Sequence, residues 1–260
     1  MKLKQIIPGA ILAIGGIVAA LLLLLRSGAL AEQAEKVTGF QTLCYCLCLI
    51  AAVVGVAVAA TGFLPRRQKV STRNLAMAAM FAALCYIGFA YLRIDIPVGT
   101  EKTAFHLGNV FCVLAALFLG GLWGGLSGAV GLTLADLTSG YVTSAPKTFL
   151  LKLCIGLIAG AVAHGLFHIS REKTFPERLL AATVVSCTAG MAFNVVADPV
   201  VGYFYKTYVL GVPQDAAKIW AKMGAITTLV NAVIAVIAAS VLYLALRPAL
   251  EKSKLMPHID

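Results

Sequence analysis

Charge is scarce in this chain. Of its 260 residues only 12% are Asp, Glu, Lys or Arg, while 60% are apolar. Soluble domains carry about 25% charged residues, and half that fraction cannot coat a water-facing surface of this size. A soluble enzyme, a disordered chain and a repeat solenoid are therefore excluded. Short strands of alternating polar and apolar residues are missing too, which excludes an outer-membrane barrel. There is no Walker A motif, no His-Glu-x-x-His, no Gly-x-Ser-x-Gly and no dinucleotide fingerprint. Loop cysteines are also lacking. The seven cysteines (44, 46, 48, 85, 112, 154 and 187) all lie in apolar segments and are odd in number, so a disulfide framework is not expected. Cys44, Cys46 and Cys48 are spaced like metal ligands, but a helix spreads them over two faces. They read as small apolar packing residues, and neither metal nor cofactor is expected.

What is present is a series of long uncharged runs separated by short charged loops, the signature of a polytopic helical membrane protein. The net charge of +10 fits Lys and Arg gathered in cytoplasmic loops. Nucleic acid is not an expected partner, because no basic stripe carries interleaved aromatics.

The runs predict about eight transmembrane helices in an all-α fold. The first is 6–25, with Ala29-Leu30-Ala31 behind it. Those small residues could end a signal peptide, but the apolar core exceeds the usual 7–15 residues, and we read a retained helix. The second lies between Lys36 and Arg66, the third over 74–92. Residues 93–103 read as a loop. The uncharged run 103–135 is too long for one helix, and the glycines at 120, 121, 124 and 125 predict a turn joining two short helices, about 105–119 and 122–137. The rest are about 147–168, 178–208 and 218–246. Basic residues at 65–69 mark the main boundary. It separates a two-helix membrane extension, 1–64, from a six-helix core, 71–250.

Parity supports the glycine turn. With eight spans and both termini cytoplasmic, the inner loops hold 12 Lys and Arg against 4 acids, and the outer positions 9 against 7. Reading 103–135 as one span would send the basic loop around Arg171 and the basic tail outside.

This orientation gives the intramembrane polar residues a depth. His106 and Asn109, Lys147 and Lys152, Asn194 and Asp198, and Asn231 all fall in the outer half. Each ionisable group at mid-bilayer costs about 2.5–3.5 kcal/mol, so these groups should share a cavity open to the outside. Lys147 reads equally as a snorkelling anchor and His106 as a loop anchor. Tyr203, Tyr205 and Trp220 read as an interfacial belt or as stacking platforms. His164 reads as a bland core residue. Pro199, next to Asp198, predicts a kink with polar backbone exposed. Small-xxx-small pairs, Ala78/Ala82 and Ala79/Ala83, let another helix approach closely, inside the fold or from a partner.

The stretch 103–110 (Thr-Ala-Phe-His-Leu-Gly-Asn-Val), the glycine turn, 131–137 (Gly-Leu-Thr-Leu-Ala-Asp-Leu), 139–141 (Ser-Gly-Tyr) and 145–149 (Ala-Pro-Lys-Thr-Phe) strongly resemble the substrate-binding S components of energy-coupling factor (ECF) transporters. The resemblance covers about 71–248 and leaves the first two helices as an addition to the family's usual six. It implies capture of a vitamin or related micronutrient from outside a bacterial cell membrane. It also implies docking on a transmembrane coupling subunit that carries two ABC ATPases, and toppling in the bilayer during transport. It places docking on Ala78 and Ala82 or on Ala79 and Ala83, and a cap in the loop 93–103. Cobalt and nickel members resemble one another in an N-terminal histidine, whereas this chain begins Met1-Lys2. A B-vitamin-like or nucleobase-like ligand fits, whether a flavin, a pyridoxine-type or a pyrimidine compound. Outside the resemblance, two other readings stand: an autonomous carrier driven by an ion gradient, and a membrane-embedded enzyme using His106 and Asp136.

Overall fold

A computed structural model of the protein describes residues 72–170, 176–253, 256 and 259. The two N-terminal spans expected at 6–25 and between 36 and 66 lie outside these residues. The described chain runs α1 (Thr72–Ala90), β1 (Arg93–Val98), β2 (Glu101–His106), α2 (Gly108–Leu119), α3 (Gly121–Thr138), α4 (Ala145–Gly160), α5 (Pro176–Phe204) and α6 (Gln214–Lys252). A 3₁₀ turn precedes α4, and π-helical turns extend α4 through Leu166 and α5 through Val209. Among the described residues four segments are long and apolar enough to cross a membrane: 72–90, 142–166, 177–209 and 214–252. At 1.5 Å per residue the shortest spans about 28 Å, the thickness of the hydrocarbon core.

Helix α2 is different. Its 12 residues are too few to cross, and all but Phe111 are buried. It is wrapped by the other helices and holds the centre of the core, where Leu114, Leu117 and Phe118 pack with Tyr243 and Ile155. The break to α3 falls at Gly120, whose φ of 79° is open to glycine but costly for side chains. Irregular backbone at membrane depth is tolerated only inside protein. Gly120 meets this condition: it is buried, its N–H donates to the Ala116 carbonyl and its carbonyl accepts from Gly124 N–H. His164 Nε2 also reaches the Ala116 carbonyl, at 3.1 Å, while Nδ1 pairs with Ser170 Oγ at 2.8 Å. His164 is thus a satisfied core residue, as its position suggested.

The glycine pairs serve internal packing. A Cβ on Gly156 would collide with the backbone of Gly125, and one on Gly160 with Gly121, so α3 and α4 touch backbone to backbone. The described cysteines, 85, 112, 154 and 187, are free and buried. On α1 the two alanine pairs separate. Ala78 is buried and its carbonyl accepts a hydrogen bond from Ser127 Oγ on α3. The Ala82 carbonyl lies against Gly131. Ala79 and Ala83 are exposed.

The segment expected to be a loop at 93–103 is instead an antiparallel hairpin. It pairs Arg93 with His106 through Val98 with Glu101, and α2 begins at Gly108 rather than near 105. Ile94, Ile96 and Val98 alternate as a strand requires. Gly99, at φ 62°, opens a two-residue loop of the kind that closes hairpins. Two strands alone are marginal in water. Here the outer edge of β2 is closed by a side chain: Asn231 on α6 accepts from His106 N–H and donates to the Ala104 carbonyl, both at 3.0 Å.

Candidate functional site

Under the hairpin lies a cavity of about 140 Å³. Its wall comes from the hairpin and from all six helices or their flanking turns. His106, Asn109, Lys147, Lys152, Asn194, Asp198 and Asn231, the seven residues singled out from sequence, all line it. They come from five different elements, which the depth argument alone could not bring into contact.

Most of these groups are committed to one another. Lys147 Nζ meets Asp198 Oδ1 at 2.9 Å, so it pairs inward and does not snorkel. Thr228 Oγ1 donates to the other oxygen, Oδ2, at 3.0 Å. Pro199 follows directly and also lines the cavity, inside α5, where it removes one backbone hydrogen bond. Thr103 and Thr227 join β2 to α6 through their hydroxyls at 2.8 Å. Lys206 pairs with Glu101 Oε2 at 3.0 Å and lies 4.4 Å from the Trp220 ring centre. Trp220 therefore serves the cavity wall. Among the described residues Tyr203 and Tyr205 do not reach it.

Lys152 is the exception among the cations. It is only 8% exposed, and its hydrogen bond goes to the neutral Asn194 Oδ1 at a long 3.4 Å.

His106 ends β2 with its ring edge-on to Phe89, at 4.6 Å between centroids. Its Nδ1 accepts from Gly108 N–H at 3.2 Å, which leaves the proton on Nε2. Burial, reinforced by the Lys152 charge and opposed by Asp198, pulls its pKa down to about 3, so the ring is neutral.

The hairpin is held on a second side. Tyr141 OH donates to Asp95 Oδ1 at 2.9 Å. Lys102 bonds Asp95 Oδ2 and the Ser139 carbonyl, both at 3.2 Å, and stands 4.6 Å from the Tyr141 ring centre. Phe89 and Tyr141 meet edge to face at 5.4 Å and contribute aromatic surface to the wall.

Sequence reasoning missed several lining residues. Glu101, Lys102 and Thr103 were hidden in a presumed loop. Phe89 and Tyr141 sit at helix ends, where aromatics are common for unrelated reasons. Thr228 carries no strong signal. Lys222 is exposed and off the cavity. Among the described residues no group of three His, Cys, Asp or Glu could hold a metal ion. The arrangement suits reversible binding of a small molecule with both polar and aromatic parts.

Residues 69–248 match the family described as ECF-type riboflavin transporter, S component. A protein of Pyrococcus woesei, described as an uncharacterized protein in the gap 3′ region, is 31% identical over 123 residues. That stretch is 47% of this chain and 72% of the relative. No solved structure matches.

Proposed function

The chain belongs to the S-component family of ECF transporters, a multi-pass membrane transporter subunit and not an enzyme, and on that premise we propose that it captures a riboflavin-type vitamin from outside the cell. The observation that carries this reading is the polar cavity under the hairpin, with aromatic surface from Phe89, Tyr141 and Trp220. A flat heterocycle with a polar rim and a hydroxylated chain matches such a lining in kind. The family description supports the flavin among the ligands that the sequence left open.

In this reading the bound vitamin reaches the cytoplasm through a coupling subunit bearing two ABC ATPases. Both termini of the S component are cytoplasmic. Ala79 and Ala83 form the docking stripe, because they remain on the surface while Ala78 faces α3. The hairpin caps the cavity.

Two measurements test the proposal. Mass spectrometry of the small molecule that copurifies with the full chain should give a flavin; a different vitamin would overturn the substrate assignment. Uptake into liposomes should require the coupling module and ATP. Uptake by the chain alone, driven by an ion gradient, would overturn the coupling assignment.

A further inference from the structure

The cavity lining is unevenly satisfied. Toward the hairpin and along α5 and α6, donors and acceptors meet one another: Lys147 with Asp198, Thr228 with Asp198, Thr103 with Thr227, and Asn231 with two backbone groups of β2. On the α2 and α3 side two acceptors stay unmet. Asn109 Oδ1 and Asp136 Oδ2 are buried and take no hydrogen bond. Their residues are 2% and 4% exposed, and both line the cavity. Asn109 opens α2 and Asp136 ends α3, and the two helices close up where Gly108 meets Leu132. Lys152 approaches the same side from α4, since its carbonyl accepts from Cys112 Sγ one turn below Asn109.

A buried acceptor without a donor is costly, and more so when the group is charged. In a binding cavity that deficit is removed when a ligand supplies the donor. Lys102, Lys147 and Lys206 are paired with Asp95, Asp198 and Glu101, which leaves Lys152 and Asp136 in the same lining; an ammonium brought to Asp136 would meet the Lys152 charge. What remains is a neutral donor, an N–H or an O–H, and the flat heterocycle proposed for this cavity offers the N–H. Lys152, with one long bond to a neutral oxygen, calls for the opposite partner, a carbonyl or a more acidic oxygen.

We infer that Asn109, Asp136 and Lys152 form a seat for a ring edge in which an N–H lies beside a carbonyl, as in an imide or lactam. The seat rests on the proposed capture of a flavin and deepens it: the pyrimidinedione edge of a flavin carries such an N–H between two carbonyls. This edge points toward α2 and α3, and the rest of the ligand toward the hairpin. The seat sets specificity, because a site built around unmet acceptors discriminates strongly against a ligand lacking the donor.

The test compares matched ligands on the full chain, freed of any copurifying molecule, by titration calorimetry. One pair is riboflavin and 3-methylriboflavin; the other is 1-methylthymine and 1,3-dimethylthymine. In each pair only the first member carries the imide N–H. The wild-type chain should prefer it by about tenfold or more. Asn109→Leu should bring that ratio close to one with little change for the methylated ligand. Asp136→Asn, which keeps the side-chain volume, should lower the ratio as well and stands in if the first variant does not fold. A merely structural role would weaken both members alike. Equal affinity within the flavin pair, or a ratio unchanged in the variants, overturns the seat and leaves the flavin reading in place. Discrimination within the thymine pair alone, with no flavin bound, overturns the flavin reading and sustains the seat. Binding of none of the four overturns both.

Discussion

Lys147 and Asp198 close an ion pair across the cavity, Nζ to Oδ1 at 2.9 Å, joining the first turn of α4 to the last third of α5. Thr228 on α6 holds the second carboxylate oxygen, so a single aspartate ties three helices together. Removing one charge leaves the other without its counter-ion in a largely buried position. Asp198→Ala should therefore destabilise the protein by about 2–4 kcal/mol, and replacing both Lys147 and Asp198 with apolar residues should cost less than the single change. Thermal unfolding of the three variants in detergent provides the comparison.

The hairpin is fastened on the α5 side by Glu101 and Lys206, which are 30% and 15% exposed. A partly screened pair of this kind contributes about 1 kcal/mol. Glu101→Gln should leave the fold intact and speed ligand release about fivefold. Stopped-flow displacement measures this, and an unchanged rate would show that the pair does not hold the cap closed.

His106 gives the protein a pH dependence with a defined sign. In the fold its pKa is about 3, while in the unfolded chain it is near 6.5. Between these values the unfolded state holds the extra proton. Stability is therefore full above about pH 6.5 and falls as the pH drops toward 3, by up to about 1.4 kcal/mol per unit. The groups around the ring set this balance: Lys152 and Arg93 oppose protonation, and Asp198 favours it. His106→Gln should flatten the slope over that range in melting curves taken at successive pH values.

The two alanine pairs on α1 should behave differently under one substitution. Ala79→Trp and Ala83→Trp add bulk to an exposed face and should abolish capture of the coupling subunit while ligand binding survives. Ala78→Trp intrudes on Ser127 and α3, and should lower the melting temperature whether or not a partner is present. Pull-down and ligand titration on the same preparations separate these outcomes.

Legibility in the sequence tracked the cost of each feature. A lysine, aspartate or asparagine inside an apolar run is expensive in a bilayer, so Lys152, Asn194 and Asp198 stood out before any coordinates. The break at Gly120 was readable because merging α2 and α3 inverts the charge of two loops. The hairpin was not. Pro97 falls inside β1, and proline within a run argues against a strand. It is tolerated here in a two-stranded sheet, opposite Lys102. Nor could the sequence divide Ala78 from Ala79. Neighbouring alanines on a helix point 100° apart, and only the packing of α3 decides which is covered. The unmet acceptors of Asn109 and Asp136 were equally hidden, since satisfaction is a property of the neighbours, not of the residue.

Helix α2 carries a last consequence. Its closing turns, Leu114 through Leu119, are fully buried in the middle of the described bundle. Among the described residues the cavity is thus a cup with a solid base. Under the proposed function, cargo would leave by the rim it crossed on entry, and delivery to the far side of the bilayer would require the cup itself to turn over.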